Sequence, residues 1–186
     1  MLSQRIGYTF FDLDEVIISK CKTTLEQFMK DHPFPYDRHK LKGDILKELV
    51  MSHSENIVVA VCPIYYSRFI NPLLKVKNLI AIELQDSAEN IFQRLVFSDK
   101  NDVVYKDDAY KEAHKKYYVK DIQSDILFVK RVHMKIEHKY FINNQPVNRV
   151  IDGLMELLDE VTSDSWRSCL FAGDSASSAS TTRTDA

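Results

Sequence analysis

GYTFFDLDEVI, residues 7–17, decides the fold of this chain. It begins as a short aromatic run typical of a buried strand and contains two carboxylates one residue apart, Asp12 and Asp14. As a strand that runs into a helix, the stretch places both acids at the carboxyl end of a sheet, where open α/β folds bind ligands. Acids at this position can hold a hydrated Mg²⁺ ion and a substrate hydroxyl group. The alternative is structural, with Asp14 as the N-cap of the helix.

The composition fits one domain with short appendages. The chain has 186 residues, of which 45% are hydrophobic and 28% charged, enough to bury one full core. Its formal net charge of -2 gives no reason to expect broad affinity for nucleic acids or membranes. Three widely spaced cysteines favour free thiols in a reducing compartment. Because the apolar runs are too short to span a bilayer and no signal peptide is recognisable, we expect a cytoplasmic protein.

Strand and helix patterns alternate along the chain, which favours a three-layer α/β fold with a parallel sheet. The predicted strands are residues 8–11, 57–61, 79–84 and 140–142. The second and third are almost wholly apolar, as parallel strands covered on both faces are.

Helices are predicted between these strands. Thr23 and Glu26 form a capping box, Asp86 can cap a later helix, and Pro146 can begin the last one. The helix in the middle of the first half has an apolar face made by Leu41, Ile45, Leu46 and Leu49.

Two segments depart from the alternation. Residues 98–138 begin with a charged stretch, and their helical periodicity is clear only after about Asp107. From Thr162 onward Ser, Thr, Asp and Ala dominate. Such a tail cannot bury enough apolar surface to offset its chain entropy. We therefore expect a domain over residues 1–161 and a disordered tail over residues 162–186.

The pattern Phe-x-Asp-x-Asp-x-x-Ile at residues 10–17 resembles the second strand of the shikimate kinases, small P-loop enzymes that phosphorylate shikimate with MgATP. The resemblance continues in chain order to about residue 160. It implies a P-loop kinase fold, ATP and Mg²⁺ as cofactors, a small-molecule substrate and a place in aromatic amino acid biosynthesis. Residues 98–120 correspond to the lid that closes over ATP, or else begin a pair of solvated helices.

The phosphate-binding loop is the main departure from this family. A P-loop has the form GxxxxGK followed by Ser or Thr. The four glycines of this chain, Gly7, Gly43, Gly153 and Gly173, each precede a residue other than Lys. In the family this loop and its strand come before the segment that residue 1 begins. We therefore expect a parallel sheet that lacks its first, central strand, with open edges that favour self-association.

The resemblance also implies roles for individual residues. Asp12 would hold water on the Mg²⁺ ion, and Asp14 would accept a substrate hydroxyl and its proton. Arg38 or His39 falls where the family grips the substrate carboxylate, and Arg38 suits this role better because a guanidinium binds a carboxylate bidentately. In the lid, Lys100 and Lys106 are the cations expected to contact the ATP phosphates.

Other positions depart from the family pattern. Lys42 falls where an acid is usual, and the sequence VCPIYY at residues 61–66 replaces a run of glycines. Cys62 in this segment is either a thiol nucleophile or an inert buried cysteine. Arg68 and Arg94 are further candidates for contact with an anion.

Two functions follow from the sequence. The first is ATP-dependent phosphorylation of a small hydroxylated metabolite, shikimate by resemblance, impaired in this chain because the phosphate loop is absent from it. The second is a non-catalytic remnant of the P-loop kinase fold whose changed loops bind another macromolecule.

Overall fold

The computed structural model describes residues 1–97, 104, 105 and 107–171, apart from the side chains of Leu25 and residues 164–171. The strands are β1 (Thr9–Asp12), β2 (Ile57–Ala60), β3 (Ile82–Gln85) and β4 (His138–Phe141). The helices are α1 (Leu2–Ile6), α2 (Leu13–Cys21), α3 (Leu25–Asp31), α4 (Pro35–Ser52), α5 (Ser67–Ile70), α6 (Ala88–Arg94), α7 (Ala109–Val132) and α8 (Val147–Phe171). A 3₁₀ turn, Leu73–Lys75, follows α5. The predicted alternation of strands and helices is confirmed.

The four strands form two parallel pairs. β1 pairs with β2, with Asp12 opposite Ala60, and β3 pairs with β4, with Ile82 opposite His138. Helices connect the members of each pair, as parallel neighbours require. Within the part of the chain that the structure describes, no strand joins β2 to β3. The predicted parallel sheet is therefore present as two halves, and the self-association expected from open edges stays a prediction.

The largest error in the predicted strands concerns β3. The sequence predicts its start at residue 79, whereas the strand begins at Ile82. Leu79 instead closes a turn, because its N–H donates to the carbonyl of Val76 over 3.2 Å and Asn78 has a left-handed φ of 64°. The prediction followed the apolar run, but asparagine readily adopts this backbone conformation and interrupts the strand.

Two helix caps also lie one residue beyond their predicted positions. α3 is capped by Thr24 rather than Thr23, since the Thr24 hydroxyl accepts the N–H of Gln27 over 3.1 Å. α6 is capped by Ser87 rather than Asp86. In both cases two adjacent residues are good capping types, and the sequence alone does not show which of the two is the cap.

A buried cluster fixes the start of α2. Leu13 and Ile17 are fully buried at 0% exposure, and they lie one helical turn apart on the face of α2 that packs against the core. The other members of the cluster come from α3, α4, the segment after β2 and the 3₁₀ turn: Phe28, Ile45, Leu46, Ile64 and Leu73. Because α2 is anchored here, the two acids at its beginning have a fixed position.

The described residues divide into two compact units, one that extends to Gln145 and one that begins at Pro146. The second unit contains α8, which runs to Phe171. The domain end predicted at residue 161 stays a prediction. The Thr162 hydroxyl donates to the carbonyl of Leu158 over 2.8 Å, a bond that keeps a polar residue within a helix. The remainder of the predicted tail, residues 172–186, lies outside the described residues. Of the helices that the structure describes, none has the length and apolarity to cross a membrane.

Candidate functional site

The two acids of the opening motif lie at the junction of β1 and α2. Asp12 is the last residue of β1 and the N-cap of α2, and its Oδ1 accepts the N–H of Asp14 over 2.9 Å. The alternative that made Asp14 the cap is therefore wrong. Asp14 lies in the first turn of α2, where the unpaired N–H groups favour a negative charge. Its carboxylate is thus held just beyond the carboxyl end of β1, as the sequence predicts.

Asp14 belongs to a group of three polar side chains, here called the Asp14 cluster, with Lys42 and Cys62. Lys42 Nζ lies 3.1 Å from Asp14 Oδ1 and 3.0 Å from Cys62 Sγ. The Cys62 thiol donates to the same Asp14 oxygen over 3.2 Å. The Lys42 side chain is only 12% exposed, whereas that of Asp14 is 33% exposed. α2, α4 and the segment after β2 therefore meet in one partly buried, charged site.

The protonation states of the cluster follow from these contacts. Burial opposes the charge of Lys42, but its bonds to Cys62 and Asp14 outweigh burial and raise the pKa of the ammonium group. Burial raises the pKa of the Cys62 thiol, although Lys42 acts in the opposite direction. Near neutral pH the cluster therefore contains an ammonium and a neutral thiol. A thiol with a raised pKa is a poor nucleophile, so the burial of Cys62 favours a structural role for this residue.

One oxygen of Asp14 remains available for a ligand. Lys42 and Cys62 both bond to Oδ1, and among the described residues no group bonds to Oδ2. A carboxylate fixed through one oxygen and partly exposed through the other can accept a hydrogen bond from an alcohol. The arrangement can therefore position a hydroxyl group against a negative charge.

Arg38 lies near the start of α4, next to the α3–α4 loop. Its Nη1 donates to the carbonyl oxygens of His32 and Pro33 over 2.7 and 2.8 Å, which ties the α3–α4 loop to α4. Within the described residues, Nη2 and Nε make no hydrogen bond. The predicted contact with a substrate carboxylate therefore stays a prediction, and one edge of the guanidinium is available for it.

His39 is part of an aromatic group beside the Asp14 cluster. His39 is 8% exposed, and its ring stacks on Tyr65 with 4.7 Å between centroids. Tyr65 in turn contacts Phe128 of α7 edge-on, with 5.3 Å between centroids. Burial and the nearby charges of Lys42 and Arg38 lower the pKa of His39. The imidazole is therefore neutral near pH 7, which leaves Arg38 as the better partner for a carboxylate. Bulky side chains occupy the segment after β2, where the resemblance implies glycines.

The described residues do not form a cradle for the phosphates of ATP. Gly7 is the left-handed C-cap of α1, and Gly43 and Gly153 lie inside α4 and α8, so none of these three glycines opens a phosphate loop. The predicted phosphate contacts Lys100 and Lys106 lie outside the described residues, and the later part of the predicted lid is the first half of α7. One carboxylate oxygen of Asp12 accepts the N–H of Asp14 and thereby caps α2. In the described part of the chain, no group of three or more His, Cys, Asp or Glu side chains could hold a metal ion.

Lys42 is the residue whose importance the sequence analysis missed. It was noted only as a departure from an acidic position, whereas it neutralises Asp14. A signal for it exists in the spacing, since Lys42 precedes Ile45 and Leu46 by three and four residues on α4. A lysine in line with buried positions of a helix needs a partner, because an unpaired buried charge is costly.

Comparisons with known proteins concern the family and the fold of this chain. A family model described as shikimate kinase matches residues 1–123. The fold is similar to the solved shikimate kinase from Aquifex aeolicus vf5, with a TM-score of 0.61, 15% identity and coverage of 87% of each chain. It is also similar to the shikimate kinase from Bacteroides thetaiotaomicron, with a TM-score of 0.56, 16% identity and coverage of 85% of this chain and 88% of that chain. No curated protein sequence matches the chain. The structural likeness confirms the predicted P-loop kinase type of α/β fold.

Proposed function

The chain belongs to the shikimate kinase family, and we propose that its Asp14 cluster binds a small hydroxylated metabolite, shikimate by family resemblance. In this proposal Asp14 accepts a hydrogen bond from the substrate hydroxyl that the family phosphorylates. Phosphoryl transfer depends mostly on positioning and on charge neutralisation, so a fixed carboxylate is the group that the alcohol side of such a site requires.

The open Oδ2 atom of Asp14 carries this proposal. Lys42 and Cys62 hold the other oxygen, so the carboxylate stays in one orientation while a third of its side-chain surface remains exposed. A hydrogen bond from a hydroxyl to this charged acceptor would contribute about 1.5–3 kcal/mol. Arg38, with a free guanidinium edge on α4, is the proposed partner of a substrate carboxylate.

For these 186 residues alone, the proposed activity includes binding of the substrate but not binding of ATP. Their sequence has no GxxxxGK motif. Gly7 caps a helix, Gly43 and Gly153 lie inside helices, and Gly173 lies outside the described residues. By resemblance, the strand that carries the phosphate loop would lie between β2 and β3, the two strands that no described strand joins. We therefore propose that shikimate phosphorylation requires a phosphate loop that this sequence does not contain, with Asp12 as the contact for hydrated Mg²⁺ once that loop is supplied.

A second candidate is a non-catalytic binding protein of the same fold. The contact between Tyr65 and Phe128, together with the stacking of His39 on Tyr65, supports it. These side chains narrow the space that the resemblance assigns to shikimate. A protein of this kind would bind neither shikimate nor ATP and would use its changed loops to contact another macromolecule.

Adding a strand and a phosphate loop of family type to the chain separates the two candidates. A strand and phosphate loop of family type, fused before Arg5, should produce a protein that phosphorylates shikimate with MgATP. The change Asp14→Asn should keep the fold, because Asp12 still caps α2, and should lower turnover at least tenfold. A restored protein that is inactive on shikimate and related polyols, or one indifferent to Asp14→Asn, would favour the binding protein.

The unmodified chain provides the complementary measurement. In a calorimetric titration it should show no micromolar binding of MgATP, because its sequence has no amide-rich loop for the phosphates. Micromolar binding would mean that an unrecognised segment supplies a phosphate site, and the ATP part of the proposal would be wrong.

A further inference from the structure

We propose that an open cavity lined by Arg68, Lys75 and Lys135 binds a small phosphorylated molecule. The cavity has a volume of about 610 Å³ and lies between the α5 segment and the residues that lead from α7 into β4. Ligand sites of small molecules typically have volumes of about 300–1,000 Å³. It shares no lining residue with the Asp14 cluster, so it is a second and separate site.

Arg68 is held in place by aromatic side chains. Its guanidinium carbon lies 4.3 Å from the ring centroid of Tyr36 and 5.2 Å from that of Phe69. Tyr36 in turn packs edge-on against Tyr66 at 5.3 Å between centroids. Among the described residues no hydrogen bond engages the Arg68 guanidinium, so its N–H groups remain available as the planar fork that binds two oxygens of a phosphate.

Comparison with Arg94 shows why Arg68 is the better candidate for an anion. The Arg94 guanidinium donates to Asp86, whose side chain is 1% exposed, over 2.6 Å, so its charge is already neutralised within the protein. Within the described residues, no carboxylate lies within ion-pair distance of Arg68. Arg68 and Arg94 are the two arginines that the sequence analysis gave as further candidates for contact with an anion, and of these two only Arg94 has a carboxylate partner among the described residues.

The charges around the cavity select the class of ligand. Arg68, Lys75 and Lys135 supply three positive charges, and Glu137 is the one acid among the eight described lining residues. A phosphate monoester carries about −1.5 to −2 charges at pH 7 and three acceptor oxygens. This charge balances the excess at the cavity, and its oxygens match three separate cations. Asn71 on the same wall adds an amide that can bond to the organic part of the ligand.

Calorimetric titration with glycerol 2-phosphate at low ionic strength tests this proposal. The chain should bind this probe saturably, and malonate, a dianion of similar charge, at least tenfold more weakly. Arg68→Met should weaken binding about tenfold, whereas Lys116→Met, which removes an exposed charge from α7, should change it less than twofold. Asp14→Asn should leave it unchanged, which separates this site from the proposed shikimate site.

The variants also separate binding from folding. If Arg68→Met does not fold, the double change Lys75→Met with Lys135→Met carries the test and should weaken binding at least tenfold. Three results would overturn the proposal: absence of saturable binding by the unmodified chain, equal binding of malonate, or affinity in a folded Arg68→Met variant equal to that of Lys116→Met.

Discussion

Replacing Lys42 with methionine should destabilise the domain through the Asp14 cluster. Methionine keeps most of the apolar stem but removes the ammonium that lies 3.1 Å from Asp14 Oδ1 and 3.0 Å from Cys62 Sγ. Asp14 would then keep only the thiol as a hydrogen-bond donor to its side chain among the described residues. The carboxylate would remain at the start of α2 without its neutralising charge.

The magnitude depends on how far water can replace the lost ammonium. Breaking a fully buried ion pair costs about 3–5 kcal/mol, whereas exposed pairs contribute about 0–1 kcal/mol. Lys42 is 12% exposed and Asp14 33% exposed, which places this pair between the two limits. We expect a loss of about 1–2 kcal/mol in the free energy of unfolding. For a chain of this length, that loss lowers the melting temperature by about 2–8 °C.

Chemical denaturation of five proteins checks this value: the unmodified chain, Lys42→Met, Lys47→Met, Asp14→Asn, and Lys42→Met combined with Asp14→Asn. Lys47→Met is the matched control, because Lys47 is an exposed lysine of the same helix, and it should stay within about 0.5 kcal/mol of the unmodified chain. Adding Asp14→Asn to Lys42→Met should recover part of the loss, with a coupling of about 1 kcal/mol. Equal stability of the Lys42→Met and Lys47→Met variants would refute the argument and mean that solvent already screens the pair.

Three further results are expected. Gly43→Ala should lower the melting temperature although alanine usually stabilises helices, because the new methyl group would lie 2.7 Å from the Phe69 side chain. Overpacking of this kind costs about 1–3 kcal/mol in the free energy of unfolding. An unchanged melting temperature would contradict this prediction. Iodoacetamide should modify the exposed Cys21 faster than Cys62, whose pKa is raised by burial, as peptide mapping can measure; faster modification of Cys62 would indicate a reactive thiolate. The raised pKa of Lys42 contributes stability that is fully present below the ordinary pKa of 10.5 and is lost as pH rises through the higher pKa of the folded state. The difference in unfolding free energy between the unmodified chain and Lys42→Met should therefore shrink in that alkaline range. A constant difference would contradict the assignment.

Local signals in the sequence were enough to predict β1, β2 and the position of Asp14. The run that forms β1 is aromatic, the run that forms β2 is rich in β-branched residues, and both are short. The order of strand, helix and strand then requires a parallel pair by a crossover connection. These features depend on neighbours in the chain, so they can be predicted without knowledge of tertiary packing.

The composition of the Asp14 cluster could not be predicted in the same way. Lys42 is 28 residues from Asp14 in sequence and Cys62 is 48 residues away. Their meeting depends on how α2 and α4 pack around the buried cluster, and an error of one residue in the register of α4 exchanges Lys42 for a neighbour on another face. The same register uncertainty left Arg38 and His39 as alternatives, whereas the structure assigns His39 to a buried stack and Arg38 to a loop contact.

A calorimetric titration of the unmodified chain with shikimate tests the central claim most directly, because it measures the alcohol side of the site without ATP. Asp14→Asn removes the charged acceptor, and Asp37→Asn is its matched control, an exposed acid in the first turn of α4. A charged hydrogen bond of about 1.5–3 kcal/mol corresponds to an affinity ratio of about 10 to 100. The account predicts saturable binding that Asp14→Asn weakens by about 10- to 100-fold and that Asp37→Asn leaves unchanged. Absence of binding by the unmodified chain, or equal affinity in the Asp14→Asn variant, would contradict it.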